Sequence, residues 1–178
     1  MCIAFHHIDL KTKKLSSNLG SQACDGTEEI VGMTCSASSE YWSISSCQKA
    51  IDDDADTFWA SKGEAVGAWI QLDFGGVYNV TSLEFKHRDS PELFKDFNFN
   101  FSNGEITGPF RLDNDRGRSY TFTLPSSFIS SYVRIRAVTH YTATADPNSG
   151  FRDIKVYGCR GKPSKNEIKC TLQGAEFN

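Results

Sequence analysis

From Trp69 to Tyr157 the chain alternates apolar and polar residues with a period of two. A strand sends successive side chains to opposite faces, whereas a helix repeats every 3.6 residues, so this pattern selects strands. Ile70, Leu72 and Phe74 alternate with Gln71 and Asp73, and Leu83 and Phe85 with Glu84 and Lys86. Phe97, Phe99 and Phe101 enclose Asn98 and Asn100; Tyr120, Phe122 and Leu124 enclose Thr121 and Thr123. Val133, Ile135 and Ala137 alternate with Arg134 and Arg136, and Ile154 and Val156 flank Lys155. Each run offers one face to a core and one to water, as half-buried antiparallel strands require. Turn signals separate them at Gly75-Gly76, Asp89-Ser90-Pro91, Ser102-Asn103-Gly104, Asp113 to Gly117 and Asp146 to Gly150. The expectation is an all-β protein, an antiparallel β-sandwich or jelly roll of about eight strands. A single helical turn is expected at Cys47 to Asp52.

With 178 residues the chain suits one domain plus flanking segments. Residues 1–22 lack periodicity and read as a tail or edge segment, 23–160 as the domain, and 161–178 as a linker or C-terminal tail. Thirteen phenylalanines (Phe 13) point to a core built from rings. A net charge of −3 gives no electrostatic case for nucleic acid. No apolar run is long enough to span a membrane as a helix, and the N-terminus is too short and polar for a signal-peptide apolar region. Six cysteines stand at positions 2, 24, 35, 47, 159 and 170, without a Cys-x-x-Cys pair, so a zinc site is poorly supported. An even cysteine count and two sequons, Asn79-Val80-Thr81 and Asn100-Phe101-Ser102, favour an oxidising, extracellular setting over six buried cytosolic thiols.

Asp52, Asp53, Asp54 and Asp56 crowd four carboxylates into five residues. They repel unless solvent, a cation or backbone amides take up the charge. The spacing imitates the start of an EF-hand loop, but Thr57 occupies the glycine position and Gly63 the final glutamate position, so that reading fails.

The order of the segments resembles the discoidin family, also called coagulation factor 5/8 type C domains. Cys35 to Glu40 is similar to the family's opening strand, and Ala50 to Trp59 to its A-x-D-G-x-x-x-T-x-W turn. Trp69-Ile70-Gln71-Leu72-Asp73-Phe74-Gly75 resembles W-x-Q-x-D-L-G. Leu83 to Arg88, the strand ending at Gly104, Tyr132 to Arg136 and Asp153 to Cys159 complete the series. The resemblance implies an eight-stranded sandwich that binds ligands through loops at one end. It also implies a disulfide between Cys24 and Cys159, which in the chain-entropy model contributes roughly 3–5 kcal/mol. Cys35 with Cys47 and Cys2 with Cys170 remain as further pairs that sequence alone leaves open. The family's Asp-Gly is Asp52-Asp53 here, so a position of positive φ is expected to be lost or shifted.

By the same resemblance, Asp52, Thr57 and Asp153, with Asp54 adding a side chain or carbonyl, would hold a structural Ca²⁺. The competing reading has Asp52 and Thr57 hydrogen-bonding the turn. His87, Arg88 and Asp89 match the arginine-bearing loop of sugar-binding relatives, with Tyr41, Trp42 or Phe151 as an aromatic platform. The alternatives are an ordinary Arg88–Asp89 surface pair and a core position for Trp42. Trp59 and Trp69 are expected in the core, and Arg134 and Arg136 in solvent. The implied function is a non-catalytic extracellular module that recognises glycans or cell-surface glycoproteins. The alternative is a protein- or phospholipid-binding module in cell adhesion, with Tyr41-Trp42 as its apolar spike. No Gly-x-Ser-x-Gly, His-Glu-x-x-His or phosphate loop supports an enzyme.

Overall fold

The computed structural model describes residues 26–141 and 147–160. Strands β1 (Glu28–Glu29), β2 (Thr34–Ala37), β3 (Trp69–His87), β4 (Asp96–Phe101), β5 (Ile106–Arg111), β6 (Ser119–Ala137) and β7 (Phe151–Arg160) follow in order. Short 3₁₀ turns at Ser43–Ser45 and Cys47–Ala50 lie between β2 and β3; the second falls where a helical turn was expected. Every strand pair is antiparallel, in the order β1-β7-β3-β6-β4-β5 with β2 also on β3. The fold is an all-β antiparallel sandwich, as the alternation implied.

Two expectations about segmentation are corrected. Gly75-Gly76 does not end a strand: β3 runs through it for 19 residues. Likewise Tyr120–Leu124 and Val133–Ala137 are the two halves of one 19-residue strand, β6. Pairing between β3 and β6 breaks between Asp73 and Tyr78 and again between Val80 and Ser82. Such bulges bend a strand and raise its twist, so β3 and β6 pass from one layer of the sandwich into the other. Their Trp69–Asp73 and Tyr132–Arg136 halves join β2, β4 and β5 in the front layer. Their Ser82–Lys86 and Ser119–Thr123 halves join β7 and β1 in the back layer. Seven strands among the described residues thus do the work expected of eight.

The core between the layers is aromatic. Phe85 of the back layer lies 5.4 Å, centroid to centroid, from Phe97 of the front layer and 4.7 Å from Phe151. Trp59 is fully buried as expected, and its indole N–H donates to the Ser39 carbonyl at 3.0 Å, so burial leaves no donor unpaired. Trp69 is half-buried instead, on the outer face of β3 beside Gln71. Arg134 is correspondingly not a solvated side chain: its guanidinium lies 4.2 Å above the Trp69 ring and grips Gln71 Oε1 at 2.8 and 3.1 Å. Arg136 is exposed as expected.

A disulfide joins Cys35 and Cys47, tying β2 to the second 3₁₀ turn. Cys159 is also disulfide-bonded; Cys24, its expected partner, lies outside the described residues, as do Cys2, Cys170 and the segments 1–22 and 161–178. Asn79 of the first sequon is buried, and Asn100 of the second is half-buried within β4.

Candidate functional site

The acidic turn is organised by Thr57. Its hydroxyl lies 2.8 Å from the Lys49 carbonyl oxygen, 2.7 Å from Asp52 Oδ1 and 3.1 Å from the Asp54 carbonyl oxygen. One hydroxyl carries one proton and can donate to one of the three. Four hard oxygens therefore converge, which is the donor chemistry Ca²⁺ takes. Asp52 Oδ1 and Asp54 Oδ1 also accept the backbone N–H of Asp54 and Asp56, at 3.3 and 3.0 Å, and Lys49 Nζ sits 3.0 Å from Asp52 Oδ2. Burial opposes ionisation of Asp52, but the bonds from Thr57, Lys49 and the Asp54 amide outweigh it and hold its carboxyl below the usual range. Asp53 takes φ +58°, so the left-handed position that glycine fills in the family motif is kept, not lost. Aspartate is among the few residues that enter that region readily.

Asp153 also has positive φ, at +52°, where the pairing of β7 with β3 shifts register. The turn meets β7 through its neighbours: Arg152 Nη1 donates to the Ala55 carbonyl at 3.2 Å, and Lys155 Nζ lies 3.8 Å from Asp53 Oδ1. Among the described residues no group of three or more His, Cys, Asp or Glu side chains is placed to hold a metal. Any cation here would rest on carbonyls and Thr57 as much as on carboxylates.

The second cluster forms where β3 ends. The Arg88 guanidinium lies 4.2 Å over the Phe58 ring and donates through Nη1 to the Asn148 carbonyl. Asn148 Oδ1 in turn accepts the Gly63 amide at 3.1 Å. Ser39 Oγ donates to Glu64 Oε2 at 2.9 Å and accepts the Lys62 amide at the same distance. Ser61 N–H donates to the Ser149 carbonyl at 2.9 Å. The loops carrying residues 38–46, 58–68, 88–95 and 147–150 are thereby tied into one rim. Burial pushes the Arg88 guanidinium below its ordinary pKa, with Arg152 adding to the effect and Glu92 opposing it.

Of the six expected recognition residues, four reach the surface. Arg88 is half-buried, Asp89 exposed, Tyr41 40% exposed and Trp42 61% exposed, which removes the core alternative for Trp42. Tyr41 and Trp42 sit on the 38–46 loop, held by Tyr41 N–H to the Ala60 carbonyl at 2.8 Å. Asp89 does not pair with Arg88; the carbonyl of Asn148 takes that role. His87 and Phe151 are corrected: both are buried, with rings parallel and 6.4 Å apart, and neither can meet a ligand at the surface. They pair directly across β3 and β7 and share the inward face. Burial holds His87 below its ordinary pKa although its Nδ1 contacts the Asp115 carbonyl at 3.2 Å.

Three rim residues escaped the sequence reading: Phe58, Asn148 and Arg152. Arg152 was recoverable, since alternation puts the neighbour of an inward Phe151 on the outside. Phe58 and Asn148 lie in loops, where nothing local reveals what the chain folds against.

Over residues 32–149 the sequence matches the family model described as F5/8 type C domain. No curated protein matches the sequence. Among solved structures, the fold is similar to the galactose complex of the family 32 carbohydrate-binding module of Clostridium perfringens NanJ. That match has 20% identity, a TM-score of 0.61, and covers 74% of this chain and 98% of that one. Chitosan-binding module 2 of a Paenibacillus sp. IK-5 chitosanase/glucanase, in complex with chitotriose, is 23% identical. Its TM-score is 0.58, with 72% of this chain and 98% of that one covered. Discoidin II of Dictyostelium discoideum is 12% identical with a TM-score of 0.60, over 78% of this chain and 60% of that one.

Proposed function

The chain belongs to the F5/8 type C domain family, and we propose that it is a non-catalytic extracellular recognition module binding glycans or glycoproteins through the rim around Arg88. The observation that carries this is Arg88 itself. A guanidinium held 4.2 Å over the Phe58 ring and anchored at one N–H to the Asn148 carbonyl is restricted in direction. Its remaining N–H groups can donate as a pair to adjacent hydroxyls, the recognition geometry a sugar offers. Exposed Tyr41, Trp42 and half-buried Phe58 supply aromatic surface on the neighbouring loops. The galactose and chitotriose bound by two structural neighbours support the same ligand class. His140 Nε2 meets Ser149 Oγ, but that serine is fully buried, so the pair offers no nucleophile to a substrate. The Cys35–Cys47 bridge and the disulfide-bonded Cys159 fit an oxidising compartment.

Glycan-array screening followed by calorimetry tests the reading. Saturable sugar binding that Arg88→Ala abolishes is expected; binding unchanged in that variant would reject it. Within the same reading, Ca²⁺ would be held by Asp52 Oδ1, Thr57 Oγ1 and the carbonyls of Lys49 and Asp54, with Asp153 as the distant carboxylate. The ion would serve to lock the turn against β7. Titrating metal-free protein with millimolar calcium should then release heat and raise the melting temperature, and neither change rejects the ion.

A second reading rests on the 41–44 turn, where Trp42 and Ile44 are 61% and 75% exposed next to Tyr41. Such a tip suits a protein or phospholipid surface. Flotation with phosphatidylserine vesicles, lost in Trp42→Ser, would favour it over glycan binding.

A further inference from the structure

Four basic side chains gather at the rim without an ion-paired carboxylate among the described residues. Lys86 pairs across β3 and β7 with Arg152, and because His87 and Phe151 point inward, Lys86 and Arg152 share the outer face. Arg88 continues the same face one step further and feels the charge of Arg152. The 113–117 turn closes the side, its Gly117 N–H reaching the Arg88 carbonyl at 3.4 Å, and it brings exposed Arg116.

Among the described residues none of these four makes an ion pair. Arg88 and Arg152 spend their hydrogen bonds on neutral backbone, the carbonyls of Asn148 and Ala55, and Arg152 Nε is buried with no acceptor. The carboxylates nearby are otherwise engaged or distant. Asp113 and Asp115 face Arg118 at 2.5 and 4.0 Å, and Asp54 accepts the Asp56 amide within its own turn. Glu92 acts on Arg88 only through space, and Asp89 is exposed. Gathering like charges and partly desolvating them costs free energy that carbonyl dipoles offset incompletely. An oxyanion offsets it well, because a guanidinium fork matches two oxygens of a carboxylate or sulfate.

We propose that the sugar taken at this rim carries an anionic substituent, a carboxylate or a sulfate, held between Arg88 and Arg152 with Lys86 at its edge. This rests on the glycan reading above and sharpens its ligand class. Three probes that differ only at C6 isolate the charge: galactose, galacturonic acid and galactose 6-sulfate, each titrated calorimetrically into the whole chain. At least one acidic sugar should bind about tenfold or more tighter than galactose at low salt, and which acid gains identifies carboxylate or sulfate. The advantage should shrink as NaCl rises from about 50 to about 500 mM, while galactose binding stays level. Arg152→Gln should remove the advantage. Lys86→Gln, which touches no loop anchor, should reduce it in a protein of unchanged melting temperature. Equal, salt-independent affinity for all three sugars overturns the anion inference and leaves the glycan reading standing. No binding of any of them overturns both.

Discussion

Gly150 is the position where one methyl group should do most harm. A Cβ there would lie 1.7 Å from the Trp59 carbonyl oxygen, 2.7 Å from its carbonyl carbon and 2.9 Å from Ala60 Cα. All three are backbone atoms, so no side chain can swing aside. The 58–61 segment must lift from the start of β7, breaking the Trp59 N–H bond to the Phe151 carbonyl and the Ser61 N–H bond to the Ser149 carbonyl, both 2.9 Å. Two such bonds contribute about 2 kcal/mol together, and displacing the fully buried Trp59 adds about 1–3 kcal/mol of overpacking strain. Gly150→Ala should therefore lose about 3–5 kcal/mol in urea unfolding followed by tryptophan fluorescence. Because Phe58 adjoins Trp59, the same variant should also weaken ligand binding at Arg88 under conditions where it remains folded. Gly76→Ala is the control: its Cβ would meet only the Arg160 and Tyr78 side chains, no closer than 3.5 Å, and the cost should stay within about 0.5 kcal/mol. A Gly150→Ala protein as stable as the control would refute the reasoning.

Replacing Cys35 and Cys47 by serine should cost about 3 kcal/mol for a bridge of sequence separation 12, measured by urea midpoint without reductant; no loss would mean the bridge adds nothing to the native state. Folding holds the His87 imidazole below its ordinary pKa, so the unfolded chain binds more protons there. That group's share of stability is full above about pH 6.5 and declines as pH falls below it. His87→Phe should flatten that slope in melting curves taken from pH 7 to pH 5, and an unchanged slope would assign the dependence elsewhere. Asp53 occupies the left-handed region at φ +58°, so Asp53→Gly should be neutral or stabilising by up to about 1 kcal/mol, despite the loss of a loose contact with Lys155. A clear loss of stability would show that the Asp53 carboxylate matters more than its backbone.

Alternation made the sandwich legible, and it also held information that residue type obscured. His87 stands two residues beyond Phe85 and four beyond Leu83, both buried, so the period places it inward. Residue type points to a surface donor, but register decides its place. Trp69 shows the converse, since it shares the parity of Gln71 and Asp73 and so belongs on the outer face with Arg134. The bends of β3 and β6 were not legible, because a bulge records which partner a strand meets on each side of it, a fact no local window contains. For the same reason Arg88 could be picked from the sequence while its anchors, Phe58 and Asn148, could not. They lie 30 and 60 residues away and become neighbours only when four loops close on one another.

The passage of β3 and β6 through both layers also governs how the molecule opens. In a sandwich whose sheets share no strands, one sheet can fray while the other holds. Here the two layers share the same two strands, hydrogen-bonded to each other from Trp69–Arg136 at one end to Lys86–Ser119 at the other. Neither layer can lose its pairing without unzipping part of that shared ladder, so melting of one layer is coupled to melting of the other. Amide protons of Leu72 and Leu83, in different layers, should then exchange through the same global opening, while the edge strands β1 and β5 exchange through local fraying.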